Sequence, residues 1–315
     1  MSGLNNVDYD SLPGMGKDNW IRYSFNRSYT NPYPEAEMKV YLRPNTPTEV
    51  VPMDVAADNV AKEIYQTHKK IFVAMSGGID SEYVAKVLHR LNIPFTPIIF
   101  EVGTLNELDT WWAYKWCRDN NITPRVINVA GEDFVDGVVA INKRFCTRTA
   151  GGPFAMQTMA NIARSEGGIL LTGACFIEYF PDVNLNYLTV GTWKDGTLHD
   201  ENGNINKFGY IFHEPDIINH MLLSDMPFNF LSWTPEIVLA YMAARDMTKT
   251  SEENKSIMFD CLPRPKMGIS VPSYFWTFSP KSHPWVQLRK DLGTTEVDYL
   301  GTPEELIELL KTGIK

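Results

Sequence analysis

Cysteine is scarce in this chain and poorly spaced for metal chemistry. Four residues, at 117, 146, 175 and 261, are spread over 315 positions with no Cys-x-x-Cys pair. That spacing excludes a zinc ribbon and an iron–sulfur cluster anchored on such a pair. Long apolar runs are missing too: none approaches the ~20 residues that span a bilayer. The polar start, residues 1–6, is not expected to act as a signal peptide, so a cytoplasmic setting without a membrane is the default expectation. Positive charge is in deficit, 29 Lys and Arg against 38 Asp and Glu, and the net charge of -9 argues against broad nucleic-acid binding. Internal repeats and low-complexity tracts are absent. With 44% apolar and 12% aromatic residues the chain is rich enough to bury a large core, in one extended domain or two modest ones.

What is present centres on one stretch, Lys70-Ile71-Phe72-Val73-Ala74-Met75-Ser76-Gly77-Gly78-Ile79-Asp80-Ser81. Its first half is a short apolar run suited to a buried strand, and its end opens a helix through Val84, Val87, Leu88 and Leu91. Gly77 and Gly78 lack a Cβ, so the backbone between strand and helix can curl and gather amide N–H groups around one anion. The helix start adds free amides and a positive dipole end, and Ser76 and Ser81 add hydroxyls. The spacing is too short for a Walker A loop and no Gly-Lys-Ser/Thr closes it. A third glycine and a distal acidic residue, which a dinucleotide fingerprint needs, are also missing.

Ser76-Gly77-Gly78-Ile79-Asp80-Ser81 resembles the PP-loop, the SGGxDS signature of the ATP pyrophosphatases or adenine nucleotide alpha hydrolases, over all six positions. The resemblance implies a doubly wound α/β fold of the HUP type, a mainly parallel sheet with helices on both faces. It also implies a loop that holds the β,γ-pyrophosphate while ATP is split to AMP and pyrophosphate, usually to adenylylate a substrate. ATP and Mg²⁺ are the cofactors it brings. On this resemblance Ser76, Gly77, Gly78, Ile79, Asp80 and Ser81 would contact nucleotide, Ala74 and Phe100 would flank adenine at the carboxyl edge of the sheet, and Asp80 and Ser81 would act at the reacting phosphates.

Strand and helix alternate on either side of the loop. Residues 54–68 read as a helix, 95–102 as a strand, 106–120 as a helix with Leu108, Trp112 and Trp116 on one face, and 125–129 as a strand. The segment 142–153 concentrates Lys143, Arg144 and Arg148 ahead of a helix starting at Pro153, either as an anion-binding cluster, with Arg148 at the chemistry, or as a solvated loop. A buried strand over 168–175 ends in Thr172-Gly173-Ala174. Relatives often carry Thr-Gly-His there, followed by an acid near the metal. Here Gly173 would face nucleotide and Glu178 or Asp182 would supply the acid, with Asp80 and Glu178 as the metal pair.

Three regions follow: an N-terminal extension with a small hairpin over 1–50, a nucleotide-binding domain over 51–220 carrying a hairpin insertion near 184–215, and a mixed C-terminal region over 221–315. In the last, Thr234 caps a helix with Pro235 at its first position and Trp233 closing on Val238, and Thr302-Pro303-Glu304-Glu305 opens another. The Trp233-Thr234 stretch is similar to a segment of the phosphoadenosine phosphosulfate (PAPS) reductase branch, but that branch's C-terminal Glu-Cys-Gly-x-His is absent.

Three functions stay open: an AMP-forming enzyme acting on a small molecule or nucleobase, a PAPS reductase-like or sulfur-transfer protein, and a nucleotide-binding module without turnover. Cys146 and Cys175 are either persulfide carriers or inert core thiols. The acceptor and the oligomeric state cannot be read from the sequence.

Overall fold

A computed structural model describes residues 14–15, 21–25, 38–42, 50–103, 106–145, 151–173, 177–179, 191–194, 197–199, 210–212, 214–246, 248–249 and 251–262. In chain order the elements begin with strands β1 (Gly14–Met15), β2 (Ile21–Phe25) and β3 (Met38–Leu42). An alternating series follows: α1 (Met53–Thr67), β4 (Ile71–Ala74), α2 (Ile79–Arg90), β5 (Thr96–Val102), α3 (Glu107–Asp119), β6 (Arg125–Val129), α4 (Gly131–Phe145), α5 (Gly151–Ser165) and β7 (Ile169–Leu171). Next come the short strands β8 (Ile177–Tyr179), β9 (Gly191–Lys194), β10 (Thr197–His199) and β11 (Tyr210–Phe212). Helices α6 (Glu214–Leu222), α7 (Pro235–Ala244) and α8 (Ser251–Met258) end the described chain, with a single 3-10 turn, Phe230–Ser232, before α7.

The centre is a four-stranded sheet in the order β6-β5-β4-β7, parallel at every junction. Side chains alternate along β4, and two cores result. Ile71 and Val73 join Leu171 and Ile99 beneath α1, α2, α3 and α7, whereas Phe72 and Ala74 join Ile98, Phe100 and Leu170 beneath α4, α5 and α6. Both faces are therefore covered, which is why β4 and β5 read as nearly unbroken apolar runs. The doubly wound α/β architecture expected from the sequence is the one observed.

The strand β3 predicted at 38–42 and the strand β6 predicted at 125–129 have the predicted bounds, and the predicted helices 54–68 and 106–120 shift by a residue at their ends. The short β1 pairs with the edge of the hairpin β2–β3, and β3 in turn pairs antiparallel with β9 of the β9–β10 hairpin. A five-stranded antiparallel sheet results, so the N-terminal strands and the β9–β10 hairpin share one sheet. Trp116 is buried as expected of a core residue, while Trp111 is half exposed and meets Trp112 edge-on. The helix predicted over 302–313 and the Pro- and aromatic-rich stretch from 263 onward lie outside the described residues.

Candidate functional site

The loop 76–81 sits at the carboxyl end of β4, two strands in from the β6 edge of the sheet, where open parallel sheets hold ligands. The Met75 N–H donates to the Ile98 carbonyl at 2.8 Å, so the pairing of β4 with β5 continues to the first loop residue. At the end of β5, Asn106 accepts from the Val102 N–H at 3.0 Å and donates to the Phe100 carbonyl at 2.7 Å. That turn sets α3 down on the loop. Gly77 has φ +88°, and a Cβ placed there would lie 1.8 Å from the Asp109 carbonyl oxygen. Only glycine meets both conditions, the left-handed backbone and the close approach.

Hydrogen bonds close the loop on itself. The Ser81 hydroxyl donates to the Gly78 carbonyl at 2.9 Å, the Gly78 N–H donates to Ser76 Oγ at 3.3 Å, and the two serine hydroxyls stand 3.2 Å apart. Since Ser81 has one proton and directs it at Gly78, Ser76 donates to Ser81. Ser81 is buried and braces the loop, while Ser76 and Gly78 are exposed. Helix α2 starts at Ile79 with Gly78 in the cap position and no side-chain cap, so its first amides keep no intrahelical acceptor.

From the other side, Gly173 at the end of β7 presses on the same corner. A Cβ there would lie 2.2 Å from the Asp80 carbonyl oxygen and 2.6 Å from the Ser81 nitrogen. Thus Gly173 is brought to the loop as backbone.

Asp80 is held by a group that sequence reasoning missed. Lys255 of α8 donates to its Oδ2 at 2.9 Å, in a pair whose side chains are 16% and 28% exposed. The other oxygen, Oδ1, is buried without a partner. Burial pushes the Asp80 carboxyl above the usual range, and the charge and hydrogen bond of Lys255 pull against that. Nothing local marks Lys255, which lies in an ordinary polar helix 175 positions away. The same corner carries Cys261, whose thiol reaches the Ile79 carbonyl at 3.9 Å, and a stacked pair, Tyr83 on Phe259, with centroids 4.2 Å apart.

The other expected residues fall as follows. Ala74 and Phe100 are buried in the core beneath α4 and α5, Phe100 against Phe134 and Phe154. Lys143 and Arg144 fall in the last turn of α4, not in a loop, and the exposed Arg144 lies over the ring of its neighbour Phe145, 4.9 Å from the centroid. Helix α5 begins at Gly151, two residues ahead of Pro153. Glu178 lies in β8 opposite Ile211, and its side chain is outside the described residues, as are Arg148, Asp182, Cys146 and Cys175. Thr234 occupies the cap position of α7 with Pro235 first in the helix, yet its hydroxyl caps nothing and is buried without a partner.

For Mg²⁺, the unpartnered Oδ1 of Asp80 is a hard oxygen of the right kind. Among the described residues no three His, Cys, Asp or Glu side chains gather as a metal cluster. A metal here would take one protein oxygen and complete its shell with phosphate oxygens and water, as Mg²⁺ commonly does.

Strand, glycine corner and helix start are therefore joined as the six-residue signature requires. Residues 76–81 carry the PP-loop signature at all six positions. No family model matches the chain, and no curated protein matches it. Solved structures similar to it include an NH3-dependent NAD synthetase from Campylobacter jejuni, at 16% identity and a TM-score of 0.32 over 39% of this chain. A predicted tRNA methyltransferase subunit from Methanocaldococcus jannaschii matches at 14% identity and a TM-score of 0.33, over 75% of this chain and 90% of its own. An NMN synthetase from Francisella tularensis matches at 12% and 0.36, over 84% and 88%. The chain spans 55% of the NAD synthetase. Among the described residues, no helix is long and apolar enough to cross a membrane.

Proposed function

We propose that the protein is an ATP pyrophosphatase that cleaves ATP to AMP and pyrophosphate and transfers the adenylyl group to an acceptor, a small molecule or a nucleobase. One observation carries this reading. The PP-loop is shaped by backbone contact on two sides, from Asp109 on Gly77 and from Gly173 on Asp80, and it presents an exposed hydroxyl and helix-start amides at the carboxyl edge of the sheet. A glycine turn that merely joined a strand to a helix would need neither constraint.

In this reading the nucleophile of the acceptor attacks the α-phosphorus, the bond to the α,β-bridging oxygen breaks, and pyrophosphate leaves with the electron pair; water or a second nucleophile then attacks the adenylylated acceptor and displaces AMP. Negative charge grows on the departing group. The amides of 78–81 and the Ser76 hydroxyl are set to stabilise it, because preorganised donors need no rearrangement as charge develops. Lys255 holds the Asp80 carboxylate in place and adds a positive charge at the same corner. Asp80 would hold Mg²⁺, which when bound neutralises phosphate charge. Residues 51–220 would form the nucleotide domain, with Lys143, Arg144, Arg148, Glu178 and the rest of the chain available to shape the acceptor end.

The test is incubation of purified protein with Mg²⁺ and ATP over a panel of acceptors, with products separated by chromatography. AMP and pyrophosphate are expected in equal amounts, with loss of both in Asp80→Ala and Ser76→Ala. ADP as the product would remove the reading. PAPS offered in place of ATP completes the panel: turnover of PAPS alone would transfer the site to the sulfate-reducing branch.

A further inference from the structure

The carboxyl end of β7 carries a structure that the phosphate chemistry does not use. The Thr172 N–H donates to the Phe228 carbonyl at 2.7 Å, and the Phe230 N–H donates to the Thr172 carbonyl at 2.9 Å. Asn229 is thereby the parallel bridge partner of Thr172 and adds one rung to the sheet beyond β7. The residue after Thr172 is Gly173, which touches Asp80 and Ser81. Asn229 is thus linked to the PP-loop through two backbone contacts.

Asn229 is 2% exposed, and neither its Nδ2 nor its Oδ1 has a hydrogen-bond partner. Buried side-chain amides are nearly always partnered, so an amide open at both ends needs an explanation. The segment repeats the feature five residues later, where the Thr234 hydroxyl is buried and unpartnered although a cap position normally supplies it with an amide donor. Two such groups flank one 3-10 turn, at the ligand-bearing edge of the sheet, on the side of β4 away from β5.

We infer that Asn229 is a substrate-binding residue, and that it pairs with a planar edge carrying a hydrogen-bond donor beside an acceptor, as in a nucleobase or a carboxamide. This rests on the ATP pyrophosphatase reading of the same site. A carboxamide offers one acceptor and a two-hydrogen donor in one plane, and the partner that satisfies both ends has the complementary pair. A charged group fits poorly, since a neutral amide does not offset the desolvation of a buried charge. Two strand spacings, about 10 Å, separate the strand that bears the loop from this added rung, a reach suited to a group attached at or near the α-phosphate. The edge belongs either to the adenine of ATP or to the acceptor.

The experiment uses the full chain and the variants Asn229→Ala and Asn229→Asp, the latter keeping the shape while losing the donor end. Calorimetry compares MgATP with the Mg²⁺ complex of purine riboside triphosphate, which lacks the exocyclic amine. AMP release is followed with cytidine and with benzamide as acceptor probes. If adenine is the partner, wild type binds ATP at least tenfold more tightly than the amine-free analogue, Asn229→Ala loses that gap, and Asn229→Asp, which keeps the acceptor that meets the amine, retains it while binding both nucleotides at least tenfold more weakly. If the acceptor is the partner, the variants bind MgATP as wild type does, and stimulation of AMP release by cytidine or benzamide falls at least tenfold. Variants that match wild type in both arms, or a wild type that shows no gap and no stimulation, overturn the inference while leaving ATP binding intact. A wild type that binds no MgATP overturns the pyrophosphatase reading, and this one with it.

Discussion

Two placements of positive charge in this acidic chain differ in kind. At the end of α4, Lys143 and Arg144 are adjacent in sequence, and Arg144 extends over its neighbour's ring at the surface. In α8, Lys255 is a single cation in a polar helix, yet it is mostly buried and paired with the central carboxylate of the PP-loop. Density of charge along the sequence marks the first, whereas only packing marks the second. A desolvated partner at 2.9 Å interacts far more strongly than an exposed cation such as Arg144, screened by water and salt. The isolated lysine is therefore the better candidate for a working cation.

The largest effect tests whether the loop is the target of either cation. Gly77→Ala would place a methyl against the Asp109 carbonyl on a left-handed backbone. We expect roughly 1–3 kcal/mol of lost stability from backbone strain, and with it loss of detectable AMP formation. Thermal unfolding and product analysis would check it, and an alanine variant with native melting and full turnover would end the claim that the corner is shaped for an anion.

The second effect sets the two cations against each other directly. Lys255→Met removes a partner from a partly buried carboxylate, at a cost of about 1–2 kcal/mol after allowance for its residual exposure. It should also weaken MgATP binding about tenfold, with Lys255→Arg restoring most of it. Arg144→Ala should stay within about 0.5 kcal/mol of wild type, as exposed positions usually do. Equal losses in the two variants, read by denaturant titration and calorimetry, would erase the distinction drawn here.

A third prediction uses a buried base near β7. Burial holds the pKa of His220 down to about 3, with its ring edge-on to Phe228, 4.6 Å between centroids. The unfolded chain takes up this proton near the ordinary value of 6.5 and the folded chain does not. Stability from this group is therefore complete above pH 6.5 and declines as pH falls toward 3, by up to about 1.4 kcal/mol per pH unit. Urea midpoints between pH 7 and 5 should show that slope, and His220→Gln should flatten it. An unchanged slope would mean that the ring is protonated in the fold.

The smallest effect comes from a surface ion pair of the ordinary kind. Glu166 accepts from Lys70 at 2.7 Å and also meets Arg125, all three partly exposed. Glu166→Gln should cost less than about 1 kcal/mol and less still in high salt. A loss larger than that of Lys255→Met would show that exposure is a poor guide to which charges matter in this chain.

Much of the fold was legible because its signals are local. The apolar runs of β4 and β5 and the spacing of α1 and α2 depend on neighbours along the chain. The PP-loop was legible for the same reason, being six consecutive residues. At 142–153, open in the sequence between an anion-binding cluster and a solvated loop, the charges hide a helix end: Ile141 and Phe145 are buried on α4, with Lys143 and Arg144 between them in sequence. The Thr234 capping signal placed the start of α7 correctly, but not what its hydroxyl does: it is buried and makes no cap hydrogen bond.

By itself the sequence determined the strand–loop–helix unit and its glycines, since steric limits and hydrophobic period act over a few residues. Only the tertiary structure decided what surrounds that unit: the Asp109 carbonyl against Gly77, Gly173 against Asp80, Lys255 on the carboxylate and Asn229 beside Thr172. Such contacts arise from the closing of the chain, which brings together groups up to 175 positions apart, and their strength depends on burial that no local pattern records.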